Sequence, residues 1–164
     1  NVPLDEFMAI IDNSLENGYT VDWAADVSEP GFQYSKGFAV IPAGVGEDAQ
    51  NTEWSKWETM SANSRRNMIA NATEPIKEME ITQELRQQGY DNYETTDDHG
   101  MLITGLYKDQ NGNTFYKVKN SWNTDNIYDG YFFASAPFVA YKTLNIVVHK
   151  DAVPKDIRKK LGIK

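Results

Sequence analysis

The chain has 164 residues, 40% of them hydrophobic and 24% charged, which suits a single folded domain with a real core and excludes disorder over most of its length. A net charge of −8 with no basic stripe excludes a nucleic-acid partner, and no apolar run reaches membrane-spanning length. With no cysteine, the chain can form neither a disulfide nor a thiolate metal site among its own residues.

The first predicted element is a helix. Leu4, Phe7, Met8, Ile11 and Leu15 follow the spacing of one helical face. Pro3 suits the first turn, Asp5 and Glu6 complement the dipole, and Gly18 is the expected stop. Thr20 to Ala25 reads as a strand with Val21 and Trp23 on one face, and Gly37 to Pro42 as a second. Gly44, Gly46, Asp48 and Asn51 predict a loop, which a helical turn at Trp54 and Trp57 would pin to the body. Asn63 to Met79 has weak helical character broken at Pro75. Thr82 to Gln88 is a short helix capped by Thr82 and ended by Gly89.

From His99 the pattern changes to alternation. Met101 and Ile103 alternate with Leu102 and Thr104, and Phe115, Lys117 and Lys119 with Tyr116, Val118 and Asn120. The turn cluster Asp109-Gln110-Asn111-Gly112-Asn113 lies between them, which predicts a hairpin. Tyr131 to Ala134 and Leu144 to His149 are two further strands, and a helix over Lys155 to Leu161 follows Pro154. The basic tail of Lys155, Arg158, Lys159, Lys160 and Lys164 reads as a solvated helix face. A long helix followed by sequential strands predicts an α+β domain with an antiparallel sheet.

Two histidines are available for chemistry. His149 ends an apolar strand and reads as a surface or packing residue. His99 opens the hairpin and Asn120 closes it, so the two fall near the same end. A histidine held by an amide oxygen could serve as the base of thiol acyl transfer, taking the thiol proton and returning it to the leaving amine. A structural His–Asn pair has the same residues, and both readings stand at this point. A metal site at Asp97, Asp98 and His99 is the further alternative, disfavoured because consecutive residues point in different directions and no second His stands at ligand spacing. No metal or other cofactor is expected.

Tyr93-Glu94-Thr95-Thr96-Asp97-Asp98-His99-Gly100-Met101 resembles the His block of the bleomycin hydrolase (aminopeptidase C) family, and Leu102-Ile103-Thr104-Gly105 continues it. Val118-Lys119-Asn120-Ser121-Trp122 resembles the Asn-Ser-Trp block of papain-like enzymes, with Gly130-Tyr131-Phe132 after it. Asn145 to Val148 and Val153-Pro154 are similar to the family's last strand and exit. The resemblance covers about Ile81 to Pro154.

It implies a papain-like cysteine peptidase fold, of which residues 1–164 are the C-terminal, antiparallel β-barrel-like half with packed helices. It also implies that His99 is general base and then acid, that Asn120 orients it, that Trp122 shields their bond from water, and that the peptide at Asp98 lines the substrate cleft. The implied reaction is removal of N-terminal residues from peptides through a thioester. The implied partners are peptide substrates, a Cys-bearing N-terminal half and copies of the parent in a hexameric ring, and the resemblance favours the cytoplasm. The family's cysteine stands well upstream of its histidine, so the nucleophile is expected outside these residues and the chain alone is expected to be inactive. Asn1 is not a Met and no signal peptide follows it, so any targeting segment is expected upstream. Asn123 replaces the usual glycine after Asn-Ser-Trp, a turn position that asparagine tolerates. Leu161-Gly162-Ile163-Lys164 does not match the arm that restricts the family's cleft to chain ends, which leaves endopeptidase action open. The alternative reading is a catalytically dead homologue acting as a binding or regulatory module. In either case an apolar face is expected where the missing half docks, covered by self-association or by an ordered loop.

Overall fold

The structure, a computed structural model, describes residues 1–43 and 53–163, with the backbone alone at 53–55. The loop expected at Gly44 to Asn51, the Trp54 side chain and Lys164 lie outside the described residues. Helix α1 (Leu4–Glu16) forms where the periodicity places it, burying Phe7, Ile10, Ile11 and Ser14. Asn17 caps it and Gly18 follows at φ 78°, a left-handed position that costs glycine nothing. Strand β1 (Val21–Ala25) then buries Val21, Trp23 and Ala25.

The expected second strand is shorter than its apolar run. Only Phe38–Ala39 pairs as β3, with β2 (Phe32–Gln33) antiparallel beside it. Beyond it, Pro42 bridges Glu78 and Met79 N–H donates to Ile41 O (3.0 Å). A 3-10 turn over Glu53–Thr59 carries Trp57 into a small core with Val40 and Ile69, the latter on α2 (Ala62–Ala70). Helix α3 (Gln83–Asp91) starts on the Thr82 cap, whose Oγ1 accepts from Leu85 N–H (3.1 Å). Gly89 does not stop this helix: it lies inside it, and a Cβ there would meet the Tyr141 ring at 2.9 Å.

The hairpin is β4 (His99–Lys108) and β5 (Thr114–Lys119), with Leu102 opposite Lys119, Lys108 opposite Thr114 and a bulge between Ile103 and Gly105. Its turn is organised by Asp109 more than by Asn111-Gly112. The Asp109 carboxylate accepts from Asn111 N–H (2.9 Å), Asn113 N–H (2.8 Å) and Asn113 Nδ2 (2.9 Å). These bonds hold its pKa below the usual range, led by the Asn113 side chain. Strand β6 (Tyr131–Ser135) runs directly into α4 (Ala136–Lys142), and α4 into β7 (Thr143–Val147). Helix α4 was not legible as a helix, because Phe138 to Lys142 is buried throughout and shows no polar face. Helix α5 (Lys155–Leu161) closes the described chain.

These strands make one sheet ordered β2-β3-β6-β5-β4-β1-β7. The expected antiparallel sheet needs one correction: β3 pairs with β6 in parallel. The main core packs α1 and α4 against the sheet around Trp23, whose ring meets Phe132 at 6.5 Å and Phe138 at 6.3 Å. Ile10 turns away to a second cluster with Val153 and Ile157, which seats α5.

Candidate active site

The pairing of β4 with both β1 and β5 sets the site. Ala25 of β1 is opposite His99, and Lys119 of β5 is opposite Leu102. Asn120 follows at once, its N–H donating to Gly130 O (3.0 Å). His99 Nε2 and Asn120 Oδ1 therefore lie 2.7 Å apart. Asn120 is 2% exposed. Its Oδ1 also accepts from Ser121 N–H (2.8 Å) and Trp122 N–H (3.4 Å).

Those backbone donors decide the amide's orientation. With the amide turned over, its NH2 would face two N–H groups and the ring nitrogen. As placed, Oδ1 can only accept, so His99 Nε2 is the donor and, in the neutral ring, Nδ1 is the nitrogen with the lone pair. Asn120 Nδ2 is buried and meets no acceptor among the described residues, a cost borne at this one amide.

Trp122 lies over His99 with ring centroids 4.8 Å apart. It also meets Tyr34 at 5.2 Å and Phe32 at 5.8 Å, both edge-on. At 47% exposure it is not a core residue; it covers one side of the imidazole and leaves its own outer face to solvent. Asn126 holds the loop that returns from Trp122 to β6. Its Oδ1 accepts from Gly130 N–H (2.7 Å), and its Nδ2 donates to Tyr131 O (2.6 Å) and Tyr34 O (3.2 Å). Asn123 is not among the positive-φ residues, so the glycine it replaces is not needed for this turn. Tyr34 O–H donates to Asn123 O, and desolvation, with Asp125 adding to it, raises the phenol's pKa.

Asp98 N–H donates to Ala25 O (3.4 Å), and the Asp98 carboxylate accepts from Val27 N–H (2.9 Å). Desolvation raises this carboxyl above its usual range; the Val27 N–H works against the rise and the Asp26 carboxylate adds to it. The structure thus brings His99, Asn120, Trp122 and Asp98 together. Phe32, Tyr34, Asp26 and Lys142, all close to them in space, were not singled out by sequence. Their one signal was charge or aromaticity inside short apolar runs, which does not say where the chain returns. His149 stands apart: it is exposed, stacks on Tyr19 (5.1 Å) and caps the turn at Lys150–Ala152.

The sheet and its helices form the β-sheet half of a papain-like cysteine peptidase fold. The chain belongs to the Peptidase C1-like family, whose model matches residues 77–163. It is similar to aminopeptidase C of Lactococcus lactis subsp. cremoris, 41% identical over 59 residues, 35% of this chain and 14% of that protein. Aminopeptidase C of Lactobacillus helveticus is 33% identical over 69 residues, 42% of this chain and 15% of its own length. Among solved structures, PepW from Lactobacillus rhamnosis HN001 covers 100% of this chain with a TM-score of 0.60 at 20% identity. This chain spans 31% of that one, and the matched stretches are about a seventh of the curated relatives.

Proposed function

We propose that this chain is the His/Asn-bearing portion of a cysteine aminopeptidase, acting on the N-terminal residues of peptides with a thiol supplied from outside these 164 residues. The observation that carries it is the 2.7 Å contact of His99 Nε2 with Asn120 Oδ1. It leaves Nδ1 as the free base. His99 Nδ1 takes the thiol proton, the thiolate adds to the peptide carbonyl, and the imidazolium returns the proton to the departing amine. Water then cleaves the thioester with His99 again as base. Asn120 holds the ring, Trp122 keeps water from their bond, and the peptide at Asp98 borders the cleft. Trp122, Ile127 and Tyr128, all exposed, give the Cys-bearing portion an apolar face to dock on.

A second reading, a peptidase homologue that binds without cleaving, rests on the absence of cysteine here. Both are tested on the protein from its source. Its intact mass is measured, peptides upstream of Asn1 are mapped, and hydrolysis of an aminoacyl amide is followed with and without a thiol alkylator. A mass well above 18.6 kDa, a Cys-containing upstream peptide and alkylator-sensitive hydrolysis support the enzyme. His99→Ala should then lower turnover by about 10³-fold or more, and Asn120→Ala by less, since it orients without transferring a proton. A larger loss from Asn120→Ala overturns these roles. A native mass near 18.6 kDa with no hydrolysis supports the binding module.

A further inference from the structure

We propose that Lys142 is a positioning residue for His99: its buried ammonium ties down the segment that delivers the histidine and offsets the carboxylates gathered behind it. The proposal rests on His99 being the acyl-transfer base. Lys142 ends α4 and is 1% exposed. A buried ammonium is tolerated only when its protons and its charge are matched. Here Nζ donates to Glu94 O (2.8 Å) and Thr95 Oγ1 (3.2 Å) and pairs with the Glu29 carboxylate, which accounts for its three donors. Asp26 Oδ2 lies 3.8 Å away, and the Tyr141 ring lies beneath at 4.5 Å.

Asp26, also 1% exposed, completes the hold. Its N–H donates to Lys142 O (2.9 Å), its Oδ2 accepts from Thr96 N–H (3.2 Å), and its Oδ1 accepts from Ser28 N–H and Oγ. Glu94, Thr95, Thr96 and Asp98 are thus each fixed by α4 or by the exit of β1, and His99 comes next, opposite Ala25.

Anchoring alone does not need charge, since well-packed apolar residues can replace a buried ion pair without loss of stability. The charge arrangement goes further. Asp98 interacts with both His99 and Asp26, and Asp26 and Glu29 both pair with Lys142, so the cation sits among carboxylates linked to the histidine through Asp98; Glu94 faces the Tyr141 phenol nearby. Its other contacts, the Asn120 amide and the Trp122 ring, are neutral, as is the Tyr34 phenol beyond Trp122, which has the Asp125 carboxylate near it. Lys142 therefore limits how negative the field at His99 becomes, and with it the pH at which the base is free.

The test is ring-nitrogen NMR of the whole protein from its source, with His149 of the same chain as internal control. Lys142→Met should raise the His99 titration midpoint by about half a pH unit, and Asp26→Asn should lower it by a similar amount, with His149 unmoved. Glu29→Gln should follow Asp26→Asn, and these two variants decide the matter if Lys142→Met does not fold. Midpoints that stay put in folded variants, or that move together with His149, overturn the proposal. If the unsubstituted chain shows no Nε2–H tautomer at His99, the acyl-transfer reading fails instead, whatever the variants do.

Discussion

Three donors converge on the Asn120 Oδ1 atom, and they give the site a chemical direction. Two are backbone N–H groups that do not titrate, so the oxygen is held in place and the imidazole must present Nε2–H to it. Removing the acceptor should release the tautomer: in Asn120→Ala the ring nitrogens should report a mixture where the unsubstituted chain reports Nε2–H. Trp122→Ala should leave the tautomer intact but expose its proton. Its exchange with water should then quicken, and the low-temperature Nε2–H resonance should broaden beyond detection. A resonance as sharp as before would show that the indole, 4.8 Å from the imidazole, does not shield it. The nearness of His99 and Asn120 was legible in sequence because hairpin pairing is local, while the place of Trp122 came with the resemblance to papain-like enzymes. Lys142 was not, because nothing near it in sequence records that α4 ends beside Glu94 and Thr95.

At the scale of elements, α3 and α4 depend on each other. Gly89 lets the Tyr141 ring lie against α3, and a Cβ there would meet Cε2 at 2.9 Å and the hydroxyl at 3.0 Å. In an exposed helix Gly→Ala would gain about 1 kcal/mol; here overpacking costs about 1–3 kcal/mol, so Gly89→Ala should lower the unfolding free energy, as read by denaturant titration. An increase would mean that the ring gives way freely. Sequence suggested that Gly89 ended the helix, since glycine often follows a last turn. Its actual use is close approach, which only the neighbouring helix reveals. Ser135 caps α4 by accepting from Phe138 N–H (3.2 Å), and its hydroxyl donates to Glu78 Oε2 (2.5 Å). Ser135→Ala should cost about 1–2 kcal/mol and lower Tm by several degrees.

Across the whole molecule, Glu78 should leave a pH signature. Its carboxylate also accepts from Ile41 N–H (2.8 Å), joining the extended segment after α2 to the end of β3 and to α4. Desolvation outweighs both hydrogen bonds and lifts its pKa from 4.5 to about 7. A carboxyl that holds its proton more tightly when folded stabilises the fold fully below pH 4.5, and that contribution disappears as pH rises through about 7. The shift corresponds to a loss of about 3 kcal/mol across that window. Glu78→Gln should therefore be nearly neutral at pH 4.5 and clearly stabilising at pH 8, measured as the difference in unfolding free energy between the two proteins. An equal difference at both pH values would place the carboxylate in contact with water.

The sequence by itself determined the local structure and the chemistry on offer. The apolar face of α1, the capped start of α3 and the hairpin with His99 and Asn120 at its ends each follow from spacings of a few residues. Tertiary structure decided the rest: the parallel pairing of β3 with β6, the helix inside the apolar stretch from Tyr131 to Val148, and the lysine buried among carboxylates behind the histidine. The β3–β6 pairing joins segments far apart in the chain, which no local pattern records, and α4 is hidden by its burial. Full burial removes the polar–apolar alternation that sequence reading depends on. A buried charge, in turn, finds its partners in segments that only the completed sheet brings within reach, as Lys142 finds Asp26, Glu29 and Glu94.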